Sequence, residues 1–177
     1  MGRQFSVAVL TVSDRCARGE TPDTSGPALV EIVESALSAR VVATACVPDE
    51  AVAICDQLRL WSAAAPVDLV LTTGGTGLAP RDVTPEATLS VLERRHPGLL
   101  ELARLRCYPD QPRAFLSRGE AGTIGRTLII NLPGSRRGST HCLRALLDVL
   151  PHALETLRGE GQHADERPIT TPGAESE

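Results

Sequence analysis

Hydrophobic positions along this chain follow two alternating patterns. Short apolar, β-branched runs at Val7–Val12, Val41–Val47, Asp68–Thr73 and Thr127–Asn131 predict strands, the third one buried on both faces. Between them lie amphipathic stretches of helical length. Pro27–Leu37, entered through a Ser25 cap, sets Leu29, Ile32, Val33 and Leu37 near helical spacing, and Glu50–Trp61 does the same with Ala51, Ile54, Leu58 and Trp61. Glu86–Arg94 and Leu99–Cys107 predict a third helical region, broken by His96-Pro97-Gly98. Ser139–Arg158 predicts one long helix that Pro151 kinks. Tyr108–Thr123 fits neither period and reads as a loop or small hairpin leading to the last strand. Strands alternating with helices imply right-handed crossovers, hence an α/β fold of three layers, a mostly parallel sheet with helices on both faces. The expected domain spans residues 5–159, and the Gly-, Pro- and acid-rich residues 160–177 predict a disordered acidic tail.

In an open parallel sheet, ligands bind beyond the carboxyl ends of the strands. All four predicted strands deliver polar groups there: Thr11-Val12-Ser13-Asp14, Pro48-Asp49-Glu50, Gly74–Asp82, and Asn131-Leu132-Pro133-Gly134-Ser135. Any one of these loops reads equally well as turn formers and helix caps, Asp49 before its helix included. Four at one edge favour a site. The third loop is the most informative. Gly74, Gly75, Thr76 and Gly77 let the backbone turn sharply and offer N–H groups to anionic oxygens. Arg81 and Asp82 follow, and Thr84-Pro85-Glu86 opens the next helix. Asp14, Asp49 and Asp82 are hard oxygen donors suited to Mg²⁺ on a phosphorylated substrate. Arg81 is placed to hold phosphoryl oxygens, and Ser117 and Arg118 to close over the edge as a lid.

Composition narrows the chemistry. At 177 residues the chain fits one domain, and a net charge of −4 gives no basic face for nucleic acid. Only Phe5, Trp61, Tyr108 and Phe115 are aromatic, which leaves little for bases to stack on. Lysine is absent, so a P-loop lysine and Schiff-base chemistry are both excluded. Phosphate must be held by backbone N–H, hydroxyls, arginine or a metal. Cys16, Cys46, Cys55, Cys107 and Cys142 show no metal or disulfide spacing, although Cys16 lies beside the first loop. His96, His141, His152 and His163 are scattered over helices and tail, and nothing resembles a Ser–His–Asp triad. Arg136-Arg137 reads as a solvated turn. No apolar run is long enough to span a membrane, and the opening residues carry no apolar leader, so a cytoplasmic location is expected.

Taken together, Leu10-Thr11-Val12-Ser13-Asp14, Pro22–Pro27, Val47-Pro48-Asp49-Glu50, Thr72–Thr88, Leu116-Ser117-Arg118 and Gly125–Ser135 resemble the Mog-type molybdopterin-binding proteins, which include the G domain of gephyrin. The resemblance covers about Phe5 to Gly159. It implies a homotrimeric domain of the MogA-like fold with molybdopterin adenylyltransferase activity. In that reaction ATP and molybdopterin, with Mg²⁺, give adenylylated molybdopterin and pyrophosphate. It further implies that Asp49 and Asp82 are the catalytic, Mg²⁺-linked acids and that Ser117 lies on the pterin side. Ser13, Asp14, Ser25, Gly74–Gly77, Asn131, Pro133, Gly134 and Ser135 would form the pocket walls. A molybdenum-insertion protein is a further partner the resemblance suggests. Cys107–Pro112 departs from the family pattern ahead of Ser117. Two rivals stand beside this reading: a non-catalytic pterin-binding or scaffold trimer, and a Rossmann-type oxidoreductase. The second requires a glycine fingerprint after the first strand, where this chain has Ser13-Asp14.

Three expectations follow. The second and third strands are neighbours, or close enough for Asp49 and Asp82 to converge. Leu99–Cys107 and Ser139–Arg158 supply contact surfaces between subunits. Replacing Gly75 by Val blocks ligand approach and leaves the domain folded.

Overall fold

A computed structural model describes residues 4–63 and 67–159. Among the described residues, six strands form one sheet: β1 (Phe5–Val12), β2 (Ala39–Val47), β3 (Leu69–Thr73), β4 (Arg94–Arg95), β5 (Ala121–Ile124) and β6 (Thr127–Leu132). Their order is β2-β1-β3-β6-β5-β4. The pairs β2–β1, β1–β3 and β3–β6 are parallel, while β6–β5 and β5–β4 are antiparallel. The four strands expected from sequence are therefore the parallel block. Tyr108–Thr123, expected as a loop or small hairpin, instead holds a short 3-10 helix (Pro112–Leu116) and most of β5, which forms a hairpin with the last strand itself, turning at Gly125, whose φ is +55°.

Among the described residues, seven α-helices accompany the sheet: α1 (Asp14–Ala17), α2 (Ser25–Ala36), α3 (Ala51–Ala63), α4 (Thr84–Val91), α5 (Pro97–Cys107), α6 (Arg136–Arg144) and α7 (Leu150–Arg158). Strand side chains alternate between two cores. Val7, Val9, Leu69, Leu71, Leu128 and Ile130 pack with α2, α5, α6 and α7 on one face. Ala8, Leu10, Val70 and Ile129 pack with Ile54 and Leu58 of α3 and Ala87 of α4 on the other. This is the three-layer α/β arrangement read from sequence. Fully buried side chains of this kind each contribute about 1.5–3 kcal/mol.

Three elements differ from expectation. The chain from Ser139 to Arg158 is two helices, because Pro151 stands in the first turn of α7, where its missing N–H is tolerated. The helix predicted to reach Arg94 stops at Val91, and Arg94–Arg95 pairs with β5 instead. The second strand begins at Ala39 and lies at the sheet edge, with its side chains alternately exposed. Among the described residues, no helix is long and apolar enough to cross a membrane. The expected acidic tail lies outside the described residues.

The topology positions the site. β1 leads to α2 on one face, whereas its neighbour β3 leads to α4 on the other. Two adjacent strands whose connections diverge leave a crevice at their carboxyl ends.

Candidate active site

The crevice is a cavity of about 590 Å³. It is lined by the end of β1 and α1, by Thr21–Ser25, and by Asp49, Thr73, Gly74, Gly75 and Gly134. Ser13, Asp14, Ser25, Gly74, Gly75, Gly134 and Asp49 thus come together as expected.

The glycine loop reaches over the end of β1. Gly74 has φ +109°, and a side chain there would run into the carbonyl of Val12. Gly75 has φ +60°, accepts the Thr84 N–H at 3.0 Å, and would direct a Cβ against Thr84 Oγ1 and within 3.0 Å of Asp49 Oδ1. A Cβ on Gly77 would meet Asp82 Oδ2 at 2.8 Å. Asp49 and Asp82 therefore flank the same loop. The strands that carry them are not neighbours, however, because β1 lies between β2 and β3. The acids approach because the loop crosses the end of β1, and the charge of Asp82 is felt at Asp49.

Asp49 is turned toward α1 rather than toward the helix that follows it. Its Oδ2 accepts the N–H of Asp14 at 2.8 Å, and Asp14 Oδ1 accepts the N–H of Asp49 at 3.1 Å. Burial raises the carboxyl pKa of Asp49 above the ordinary carboxylate value, with the neighbouring charges of Asp14 and Asp82 acting in the same direction. Asp14 is held below its ordinary value by its hydrogen bonds from Arg81. Arg81 Nη2 lies 2.7 and 2.8 Å from the two Asp14 oxygens. Arg81, read as a phosphate holder, is here the counter-ion of Asp14.

Other expected residues have different tasks. Ser25 is not the cap of α2, since Asp23 Oδ1 accepts the N–H groups of Ser25 and Gly26, both at 3.0 Å. The Ser25 hydroxyl donates to Gly134 O at 2.9 Å, which fastens the last loop to α2. Asn131 is wholly buried: Oδ1 accepts from Glu120 N–H, while Nδ2 donates to Thr72 and Thr88 hydroxyls. Its side chain holds β6 to β3 and α4, away from the crevice. Pro133 accepts the Thr73 hydroxyl at 2.8 Å and, with Ser135, lines a separate cavity of about 210 Å³. Ser135 caps α6 by accepting the Gly138 N–H, so Arg136-Arg137 opens a helix rather than a turn. Thr76 is buried and accepts the Ser117 hydroxyl at 3.3 Å. Ser117 and Arg118, expected to close over the edge, lie against the glycine loop and bond to it.

Sequence reading missed α1 and with it Arg15 and Arg18, both of which line the cavity. Its signal was Ser13, whose Oγ accepts the Cys16 N–H as an N-cap. Asp23 was also missed as a site residue. It lines the cavity and accepts the Thr11 hydroxyl at 2.6 Å.

Among the described residues no set of three His, Cys, Asp or Glu side chains stands ready to hold a metal. The residues nonetheless suit Mg²⁺, which takes one or two carboxylates and completes its shell with water and phosphate oxygens. The Thr84 hydroxyl, buried beneath Gly75 near Asp49, has no hydrogen-bond partner among the described residues and is a further oxygen available there.

Residues 8–152 match the family described as "probable molybdopterin binding domain". The chain is 38% identical over 171 residues to the molybdopterin adenylyltransferase of Helicobacter pylori, covering 92% of this chain and 93% of that one. It is 42% identical over 153 residues to the molybdenum cofactor synthesis protein cinnamon of Drosophila melanogaster, covering 86% of this chain but only 26% of the fly protein. Among solved structures, the molybdopterin biosynthesis enzyme MoaB of Thermus thermophilus superposes with a TM-score of 0.84 at 52% identity, covering 88% of this chain and 98% of that one.

Proposed function

The chain belongs to the molybdopterin-binding family of molybdenum cofactor biosynthesis, and from that premise we propose that it is a molybdopterin adenylyltransferase. Adenylyl transfer joins a phosphate oxygen of molybdopterin to the α-phosphorus of ATP and breaks the bond to pyrophosphate. Such a reaction needs positioning and charge neutralisation more than a protein nucleophile. The observation that carries the reading is the pair Asp49 and Asp82 on either side of a glycine loop whose Gly74 and Gly75 wall a crevice of about 590 Å³.

In this reading the polyphosphate lies along Gly74 and Gly75, whose backbone approaches the crevice without side chains. Asp49 and Asp82 would hold Mg²⁺, which neutralises charge on the phosphates when bound. Arg81 keeps Asp14 charged and fixed, and Asp14 in turn fixes Asp49 through their reciprocal backbone bonds. Arg15 and Arg18 bring positive charge to the cavity wall. Subunit association is part of the proposal. Leu105, Tyr108, Phe115 and Leu116, all more than half exposed around the end of α5, are apolar surface suited to a trimer contact.

The test is ATP-dependent release of pyrophosphate in the presence of molybdopterin and Mg²⁺, coupled to formation of adenylylated molybdopterin. Molybdopterin binding without pyrophosphate release would replace the enzyme by a binding module.

A further inference from the structure

We infer that Arg118 is a positioning residue that sets the second half of the glycine loop, Thr76 to Asp82, and through it the place of Asp82. The inference rests on the adenylyltransferase reading for its effect on turnover, but not for its effect on the loop.

Arg118 lies 41 residues beyond Gly77 in sequence and meets the loop at several points. Its backbone N–H donates to Thr76 O at 2.8 Å. Its Nε donates to Gly77 O at 2.7 Å, and Nη2 donates to Asp82 O at 2.6 Å. Nη1 is bonded to the carboxylate of Glu86 in the first turn of α4. The guanidinium therefore bridges both ends of the turn Gly77–Asp82 and pins it to the helix that follows. An arginine carries five N–H donors in a rigid plane, and these bonds engage Nε and both terminal nitrogens. Ser117 adds a hydroxyl bond to Thr76, at 3.3 Å.

The brace is itself fixed from behind. Arg104 donates to Gly119 O at 2.9 Å, and Asn131 and Glu120 exchange bonds of 2.9 and 3.1 Å. That explains why the buried Asn131 lies in the core yet belongs to the site's support. The first half of the loop is held independently, through Gly75 O to the Thr84 N–H and through the close approach of Gly74 to Val12. Loss of Arg118 should therefore release Asp82 without releasing the stretch expected to hold phosphate.

Backbone amide exchange and steady-state kinetics on the full chain test this, with Arg118→Ala and Arg118→Lys. In Arg118→Ala, amides of Ala79 and Asp82 should exchange at least about tenfold faster while β1 and β3 keep their protection. Its kcat should fall about a hundredfold, the effect of a small misplacement at a reacting centre. KM for ATP should stay within about threefold, as when only transition-state interactions are lost. Millimolar guanidinium should restore part of the rate. Arg118→Lys keeps the charge but cannot span both carbonyls, and should lie between the two. Unchanged loop exchange in both variants, a loss confined to KM, or equal loss of protection across the core would overturn the inference. A wild-type protein that releases no pyrophosphate would defeat the adenylyltransferase reading, while the exchange measurement still decides whether Arg118 holds the loop.

Discussion

Two glycines in one loop should fail in different ways when a methyl group is added. Gly75 has φ +60°, a conformation that costs an ordinary residue about 1–2 kcal/mol. Its new Cβ would also press on the Thr84 hydroxyl beneath the loop and approach Asp49 Oδ1 to 3.0 Å, and such crowding costs about 1–3 kcal/mol. Gly75→Ala should therefore lose about 2–5 kcal/mol, leaving a folded protein where the total lies well inside the usual range of about 5–15 kcal/mol. For a chain of this size the melting temperature should fall by about 4–20 °C. Gly77 has no positive φ, so its backbone accepts alanine. The Cβ there lies 2.8 Å from Asp82 Oδ2, and the carboxylate must move. Gly77→Ala should stay within about 1 kcal/mol of wild type in stability, yet lose about tenfold or more in kcat. Thermal unfolding and pyrophosphate release on both variants make the comparison. Gly75→Val, expected from sequence to block ligand and nothing more, should be the least stable of the three because a β-branched side chain fits that conformation worst. An unchanged melting temperature for Gly75→Ala would refute the strain argument. Full turnover in Gly77→Ala would refute the importance of Asp82's position.

Asp49→Asn and Asp82→Asn should each lower pyrophosphate release by at least about a hundredfold, and the double variant should lose less than the product if both act through one ion; fully multiplicative losses would separate them. Asp68 accepts from Ser6 and Arg158, and Arg158 leads those contacts in drawing its pKa down to about 2 against the opposing effect of burial. A depressed carboxyl stabilises the fold above its ordinary pKa and loses that contribution as pH falls through the folded value. Asp68→Asn should thus cost about 1–2 kcal/mol at neutral pH after solvent screening, and its deficit in denaturant melts should close near pH 2; a pH-independent deficit would count against the ion pair. Alkylation followed by mass spectrometry should label Cys16 and Cys46 at least about tenfold faster than Cys55, Cys107 and Cys142, which are buried. Burial pushes the Cys142 thiol up to about 12, so rapid labelling there would show that α5 and α6 part readily.

What could be read from sequence divides along a physical line. β3 and β6 are buried on both faces, so their continuous apolar runs announce them, and the four-loop edge follows from parallel topology alone. α1 was invisible because four residues carry no periodicity, and β4 because two exposed arginines show no apolar alternation. Asp49 and Asp82 were expected on strands that are neighbours or close enough for the acids to converge, and it is the second alternative that holds, with β1 between the two strands. Strand order is a long-range property, and the sequence pattern around each strand is the same whether or not β1 lies between them. Several candidate site residues turn out to be engaged by other protein groups, and they share a cause. Arg81, Arg118, Ser25 and Asn131 are polar groups near a binding edge, and sequence offers only residue type and nearness to that edge. In the fold each finds a protein partner: Asp14, the Gly77 and Asp82 carbonyls, Gly134, and the Thr72 and Thr88 hydroxyls. A preorganised site requires such a supporting layer, because groups that face a ligand must be fixed by groups that do not. Residue type cannot separate the two layers, since both need the same hydrogen-bonding chemistry. Only the direction of each side chain does. Hence the glycines, which have no direction to misjudge, were the residues whose local structure was most legible: Gly74 and Gly75 make the sharp turn at positive φ that their type predicts.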